Sequence, residues 1–231
     1  MRQFYYDNIA KLASASFDKF KVTLETFSSQ QQIIIALSGG SSVDPLYQEI
    51  AKRYSEIPSS LWEKVIFCFA DERLVPLDSP DSNYKAACDS FLNALIAAQV
   101  INAEAIATVN FTSNAADIEY TEKVGNKINI ALLGAGPDSH TCSLFPEHSS
   151  INNPSEDFIL VENSPKPPAR RISMSRAMVE NTDHVFVFLV GEGKRDAYNN
   201  FMDDSVKAEN APIKTALKAY ECSVFSDLKK D

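Results

Sequence analysis

The sequence of 231 residues lacks the features of several protein classes. No uninterrupted run approaches the ~20 apolar residues of a membrane span, and the N-terminus, MRQFYYDNIAKLA, is not a basic stretch followed by an apolar block. Basic residues are few, with 22 Lys and Arg against 31 Asp and Glu and a formal net charge of −9. We therefore predict no membrane partner and no broad attraction for nucleic acid, so an anionic ligand needs a local cluster of donors.

Cysteine and histidine are also sparse. The four cysteines form no C-x-x-C pair, and two of them sit inside apolar runs, where buried free thiols are common. This pattern favours a reducing compartment, and we predict a cytoplasmic protein. The three histidines form no H-E-x-x-H pattern, so we predict no metal site.

Short apolar runs alternate with helix-length segments along the chain, and no repeat or Gly/Ser linker divides it. We predict one α/β domain over residues 1–231, with a mainly parallel, Rossmann-like sheet and helices on both faces. The predicted strands are Ile33 to Leu37, Val65 to Ala70, Ile128 to Leu133, Phe158 to Val161 and Val185 to Val190. The predicted helices are Tyr5 to Phe27, Pro45 to Tyr54, Asn83 to Gln99, Asn114 to Val124, Ser175 to Asn181, Lys194 to Met202 and Pro212 to Tyr220.

The first candidate motif, Ser38-Gly39-Gly40-Ser41, lies between the strand ending at Leu37 and a predicted helix. Adjacent glycines can bring several N–H groups toward one point, and the helix N-terminus adds a favourable dipole, which suits a phosphate. We expect Asp44 to cap this helix and Pro45 to begin it. The glycines alone are equally compatible with a plain strand-to-helix turn, since neither G-x-G-x-x-G nor the Walker lysine is present.

The second motif, Asp71-Glu72-Arg73, directly follows the predicted strand that ends at Ala70. Ligands of open parallel sheets bind outside the carboxyl ends of the strands, so this position favours a functional role. Arg73 can offer a fork of donors to a phosphate, and Asp71 can bind a sugar hydroxyl or orient a catalytic group. A solvated charged loop is the alternative interpretation, and Glu72 receives no assignment.

The third motif begins at Gly134 and continues through Asp138 and His140 to Pro146. Two glycines release the chain from the strand, and a carboxylate and an imidazole follow two residues apart at the expected mouth of the site. An imidazole can take a proton from water near neutral pH and return one to a leaving alkoxide. His140 is therefore the first candidate for the catalytic group, with a structural loop histidine as the alternative.

Cations cluster in the fourth motif, within and after the proline-rich loop 163–171. Lys166, Arg170 and Arg171 are plausible counter-charges for a ligand phosphate in an acidic protein. Arg171 is favoured over Arg170. Lys194 follows another strand-to-helix turn and is equally compatible with a place in the same crevice and with solvent exposure.

Taken together and in order, these segments resemble the 6-phosphogluconolactonase family. The resemblance lies in LSGGSS at 37–42, FADERLVP at 69–76 with SN at 82–83, LLGAGPDSHTCSLFP at 132–146 and SPKPPARRIS at 164–173. The chain departs at Ser139, where the family commonly has Gly, and a side chain at this position restricts φ.

The resemblance implies a fold shared with amino-sugar-phosphate deaminases and hydrolysis of 6-phosphogluconolactone in the oxidative pentose phosphate pathway, without metal or cofactor. It implies that His140 is the acid/base residue and that Arg73, Arg171 and Lys194 are candidates for contacts with substrate phosphate or carboxylate. Some family members are fused to glucose-6-phosphate dehydrogenase, so the resemblance also allows fusion or association with that enzyme. The alternatives are a deaminase or isomerase, which resembles this chain with an aromatic residue in place of Arg73, and a non-catalytic sugar-phosphate sensor.

Overall fold

A parallel sheet of six strands forms the centre of the computed structural model, which describes residues 1–229, in the order β1-β9-β8-β5-β2-β3. These strands are β1 Arg2–Tyr5, β2 Ile33–Leu37, β3 Val65–Phe69, β5 Ile130–Gly134, β8 His184–Leu189 and β9 Glu221–Ser226. A smaller antiparallel sheet has the order β4-β7-β6. Its strands are β4 Asp71–Arg73, β6 Ile159–Val161 and β7 Arg171–Ser173. The last two residues of the predicted domain, 230 and 231, lie outside the described residues.

The connections between the strands are largely helical. The α-helices of residues 1–229 are α1 Ile9–Thr26, α2 Asp44–Arg53, α3 Ser59–Trp62, α4 Asn83–Ala87, α5 Asn93–Ala97, α6 Ala116–Val124, α7 Arg176–Glu180 and α8 Arg195–Met202. A π-helical stretch, Cys88–Leu92, joins α4 to α5, so the predicted helix Asn83 to Gln99 is continuous but locally widened. The predicted helix Pro212 to Tyr220 is a 3₁₀ helix over Pro212–Lys218.

The central strands are buried on both faces, which explains why they read as continuous apolar runs. In β2, Ile33, Ile35 and Leu37 belong to one hydrophobic cluster, whereas Ile34 and Ala36 belong to the cluster on the other face. Successive side chains of a strand point to opposite faces, so one run supplies both cores. The predicted parallel sheet with helices on both faces is confirmed.

The sequence-based strand assignments were wrong in two respects. Phe158 to Val161 was expected in the parallel sheet, but Ile159–Val161 pairs antiparallel with β7 in the smaller sheet. The edge strand β1, its partner β9, and the strands β4 and β7 of the smaller sheet were not predicted. Strand β1 is short and mostly exposed, so it carries no apolar run.

Two helix starts also differ from expectation. Helix α1 begins at Ile9 rather than Tyr5, because Asn8 caps it by accepting hydrogen bonds from the N–H groups of Ala10 and Lys11. Helix α2 begins at Asp44 after the N-cap residue Val43, and Asp44 makes no capping hydrogen bond. The Asp44 carboxylate accepts from Ser90 and Gln48 instead.

Candidate active site

A cleft of about 200 Å³ opens where the loops after β2, β3 and β5 meet, at the carboxyl edge of the parallel sheet. Parallel strands bring these loops to one edge, although the residues concerned are far apart in the sequence. The cleft is lined, within residues 1–229, by Ser38, Gly39, Gly40, Ser41, Ser42, Asp71, Arg73, Asn83, Gly134, Ala135, Gly136, Pro137, His140, Cys142, Arg171 and Lys194.

The turn after β2 forms one wall of the cleft. Gly40 has a φ of +101°, which L side chains rarely adopt, and a Cβ at Gly39 would come within 2.1 Å of Asn83 Oδ1. The N–H groups of residues 39 to 42 donate no hydrogen bond to any acceptor in the described part of the chain. The Ser38 hydroxyl is buried and also lacks a partner there. These donors precede the N-terminus of α2 and suit an anion.

Asp71 lines the cleft, where protein groups hold its carboxylate in place. Ser143 Oγ donates to Asp71 Oδ2 at 2.8 Å, and Asn83 Nδ2 donates to Oδ1 at 3.2 Å. The guanidinium Nη1 of Arg171 lies 3.7 Å from Asp71 Oδ2. Asp71 and Arg171 are both buried, so each compensates the other's charge.

Glu72 anchors the adjacent wall. Its Oε1 accepts from the N–H groups of Arg73 and Asn83, and its Oε2 accepts from Tyr84 N–H and the Ser82 hydroxyl. The carboxylate therefore joins β4 to the first turn of α4. This contact places Arg73 and Asn83 at the cleft.

Arg73 is only partly engaged by the protein. Its Nη1 donates to the carbonyl of Asp81 at 2.7 Å, while its buried Nε has no acceptor among residues 1–229. The guanidinium of Arg171, in contrast, donates hydrogen bonds to the proline-rich loop. Its Nε donates to the carbonyl of Pro168, and its Nη2 donates to the carbonyls of residues 166 and 167. Arg171 is buried and supports this loop, and part of its side chain lines the cleft.

His140 lines the same cleft as the glycine turn, and its Nδ1 is 2.5 Å from Asp138 Oδ1. Gly136 makes this position available, because a Cβ there would lie 2.1 Å from the imidazole ring. The ring packs on Phe145, with 4.8 Å between the centroids. A carboxylate at Nδ1 directs the N–H of the neutral ring to that atom and leaves Nε2 as the proton acceptor.

Ser139, at the position where the family commonly has Gly, adopts a backbone conformation with positive φ. It has a φ of +68° and is fully buried, with its Oγ accepting from Asn200 Nδ2 at 3.0 Å. Its carbonyl accepts from Ile213 N–H at 3.0 Å. These contacts hold a serine in the left-handed region that glycine adopts more readily.

Two lysines approach from other elements. Lys166 Nζ is 2.8 Å from Asp138 Oδ2 and 3.2 Å from His140 Nδ1. Burial alone would raise the pKa of Asp138, but its hydrogen bonds to His140 and Lys166 outweigh burial and lower that pKa below its ordinary value. Lys194 lines the cleft, where burial and then the nearby Lys166 lower its pKa.

The structure brings most of the predicted residues together. Those lining the cleft are Ser38, Gly39, Gly40, Ser41, Asp71, Arg73, His140, Arg171 and Lys194. Asp138 and Lys166 do not line the cleft, but both contact His140. Arg170 is not brought in, since it points to Glu162 and Asn114 away from the cleft.

Two contributors, Asn83 and Ser143, were missed by sequence reasoning. Both contact Asp71, and both lie within segments that carried the family resemblance, which was the only available signal. Within residues 1–229, no three His, Cys, Asp or Glu side chains are grouped so that they could hold a metal ion. None of the helices in this range is long and apolar enough to cross a membrane.

Several curated proteins are similar to this chain. 6-Phosphogluconolactonase 3, chloroplastic, of Arabidopsis thaliana is 32% identical over 204 residues, which cover 82% of this chain and 60% of that protein. 6-Phosphogluconolactonase 3 of Saccharomyces cerevisiae strain S288c is 30% identical over 201 residues, covering 84% of this chain and 79% of the yeast protein. The chain thus spans about three fifths of the plant relative and most of the yeast one.

Solved structures share the fold. The 6-phosphogluconolactonase of Shewanella baltica superposes with a TM-score of 0.81 at 23% identity, covering 98% of this chain and 97% of that one. The enzyme of the same name from Thermotoga maritima gives a TM-score of 0.80 at 20% identity, covering 97% and 98%. The family model described as glucosamine-6-phosphate isomerases/6-phosphogluconolactonase matches residues 7–224. The chain belongs to this glucosamine-6-phosphate isomerase/6-phosphogluconolactonase family.

Proposed function

We propose that this chain hydrolyses 6-phospho-D-glucono-1,5-lactone to 6-phosphogluconate in the oxidative pentose phosphate pathway. The observation that carries the proposal is the pairing of His140 Nδ1 with Asp138 Oδ1 at 2.5 Å, in the same cleft as a glycine turn whose N–H groups have no acceptor among residues 1–229. This arrangement places a proton acceptor and an anion site in one cleft. The 6-phosphogluconolactonase names of the relatives support the same activity.

In the proposed reaction, His140 Nε2 takes a proton from water as the water oxygen attacks the lactone carbonyl carbon. The resulting tetrahedral intermediate carries an oxyanion, which backbone N–H groups of the glycine loops can stabilise. The bond from this carbon to the ring oxygen then breaks, and protonated His140 gives its proton to the ring oxygen. The product is a hydroxy acid, whose carboxyl group ionises and releases one proton to solvent.

The proposed phosphate site consists of the turn Ser38 to Ser41 with Arg73 and Lys194. The turn supplies N–H donors before a helix N-terminus, and Arg73 retains a buried Nε that no protein acceptor occupies within residues 1–229. Asp71 faces the same cleft and is proposed to bind a sugar hydroxyl. The substrate's phosphate then places its lactone carbonyl toward His140.

The test is acid release from freshly generated 6-phosphogluconolactone, corrected for spontaneous hydrolysis, with the native chain and H140A side by side in the presence of a chelator. We expect rapid turnover by the native protein and a fall in kcat of roughly 10²-fold or more in H140A. The matched control is H148Q, which changes a histidine outside the cleft. Failure of the folded native protein to accelerate hydrolysis would contradict the proposal.

A second assay separates the two activities that the family description names. Ammonia release from glucosamine 6-phosphate is measured with the same native preparation. We expect none above background. Ammonia release without lactone hydrolysis would assign the chain to the isomerase branch, and absence of both would leave a sugar-phosphate sensor.

A further inference from the structure

The side chains of Lys166, Asp138 and His140 form a closed triangle of contacts. Lys166 Nζ is 2.8 Å from Asp138 Oδ2, Asp138 Oδ1 is 2.5 Å from His140 Nδ1, and His140 Nδ1 is 3.2 Å from Lys166 Nζ. We propose that Lys166 is a positioning residue that keeps His140 in its neutral, proton-accepting form, and that it does not hold the substrate phosphate. The inference rests on the proposed role of His140.

The geometry determines where the protons lie. An ammonium group has three donors and no acceptor, so Lys166 donates to the Asp138 carboxylate. The His140 Nδ1–H also donates to Asp138, so it cannot accept from Lys166 at the same time. Their 3.2 Å separation is therefore a contact between two hydrogen-bearing groups, both directed at one carboxylate.

This contact has an electrostatic consequence. Asp138 alone would favour the positively charged imidazolium, since an opposite charge at hydrogen-bonding distance stabilises the charged form. The Lys166 ammonium opposes this effect directly, as a like charge beside the ring, and indirectly, because it shares the Asp138 carboxylate. Lys166 thus allows Asp138 to orient the ring without holding it protonated.

Other groups around the ring complete the charge environment. The titratable and charged groups that line the cleft together with His140 are Asp71, Arg73, Cys142, Arg171 and Lys194. Asp71 and Arg171 face each other at 3.7 Å, so their charges largely cancel. Lys194 adds positive charge from the start of α8, in the same direction as Lys166.

Lys166 is also poorly placed for a ligand role. Its ammonium is bonded to Asp138 and contacts His140 Nδ1, and Lys166 does not line the described cleft. Its side chain is 39% exposed, so the contact is accessible to substitution without opening a core. A neutral residue at this position leaves the Asp138–His140 pair intact and unopposed.

The direct test is an NMR titration of the His140 ring in the full chain without substrate. The chain has three histidines, so H140A, H148Q and H184Q assign the signals. We expect K166M and K166Q to raise the midpoint pH of His140, because the like charge is removed. K166R retains the charge and should keep the native midpoint. R170M removes an outward-pointing cation of the same loop and should change it little.

A midpoint that stays in place in folded K166M and K166Q would overturn the proposal. The kinetic counterpart is the acid limb of kcat/KM against pH, which should move up with the midpoint and lower kcat/KM on the limb roughly tenfold per unit. At pH values above this acid limb, KM should remain near the native value. If Lys166 bound the substrate phosphate, its removal would instead raise KM at every pH.

The titration also separates this inference from the proposed function. A midpoint that moves in a protein without lactonase activity would support the role of Lys166 and refute the activity. Lactonase activity in the native protein, with a His140 midpoint that is the same in K166M, would support the activity and refute the role of Lys166.

Discussion

Gly136 and His140 occupy adjoining space, which leaves no room for a side chain at residue 136. A Cβ on Gly136 would lie 2.1 Å from ring atoms of His140 and 2.5 Å from Asp138 Oδ1. Gly39 has the same relation to Asn83. Glycine is needed at both positions because side chains from another part of the loop or fold fill the space that a Cβ would take.

We therefore expect G136A to displace the imidazole and to lower kcat/KM for the lactone by roughly 10²-fold, while the far-UV circular dichroism spectrum stays native. The matched control is G193A. A Cβ at Gly193 would have no atom within 4 Å, and this variant should retain native kinetics. Native activity in G136A would show that His140 does not need its present position.

Strand β4 and helix α4 are joined by one carboxylate, that of Glu72. Its two oxygens accept three backbone N–H groups and one hydroxyl, and the residue is 1% exposed. Residues held by these bonds, Arg73 and Asn83, line the cleft. Packing between the two elements and the shape of the proposed phosphate site thus depend on the same group.

E72Q places an amide NH₂ against a hydrogen-bond donor, since all four partners of Glu72 donate. We expect a loss of about 2 kcal/mol in the free energy of unfolding and a raised KM. Urea denaturation and steady-state kinetics measure the two effects. E104Q, at an exposed position, should change neither quantity. A native KM in E72Q would show that the shape of the proposed phosphate site does not depend on the Glu72 hydrogen bonds.

The loop between β5 and the following segment depends on Ser139, whose φ is +68°. S139A retains the unfavourable backbone conformation and removes the acceptor of Asn200 Nδ2, so we expect a loss of about 1 kcal/mol in unfolding free energy. S139G removes the same acceptor but relieves the backbone, so it should lie closer to the native stability. Urea denaturation of both variants checks this order, and equal losses would contradict the role of backbone strain.

The stability of the whole molecule should depend on pH through His184, which begins β8 in the middle of the sheet. Burial, reinforced by the charge of Lys19, lowers its pKa to about 4, although Glu221 acts in the opposite direction. The ordinary value of histidine is about 6.5, so the unfolded chain binds more protons than the folded chain between these two values. Unfolding free energy therefore falls as the pH decreases through this window.

From pH 7 to pH 4.5, this group should lower the unfolding free energy by about 2 kcal/mol. The measurement is urea denaturation at both values for the native chain and for H184N, in which the decrease should be smaller by that amount. H148Q, which leaves His184 in place, should show the native decrease. Equal decreases in the native chain and in H184N would contradict the prediction.

The fold was predicted correctly where a segment is apolar throughout. The run Ile33 to Leu37 is apolar throughout because β2 is buried on both faces, so it predicts a central strand. Strand β1 has no such pattern, because an exposed edge strand places few constraints on its side chains. The run Phe158 to Val161 was apolar enough to predict a strand, but composition does not specify the sheet that a strand joins.

The adjacent residues Arg170 and Arg171 show the same limit within the site. Both were candidates, and both carry the same group. Neighbouring side chains in extended chain point in opposite directions, so only one of them could face inward. Pairing of β7 with β4, in which Arg171 lies opposite Arg73, placed Arg171 inside and left Arg170 outside. That pairing joins segments about a hundred residues apart.

From the sequence alone, the local chemistry of the site could be determined: glycines and hydroxyls after β2, a charged triplet after β3, and a carboxylate two residues before an imidazole after β5. These features depend on residues close together in the chain, where covalent geometry limits their separation. Tertiary structure alone decided that Asn83 and Ser143 hold Asp71 and that Lys166 lies against His140. Such contacts arise when distant segments pack around a common sheet, and no local pattern encodes their distance.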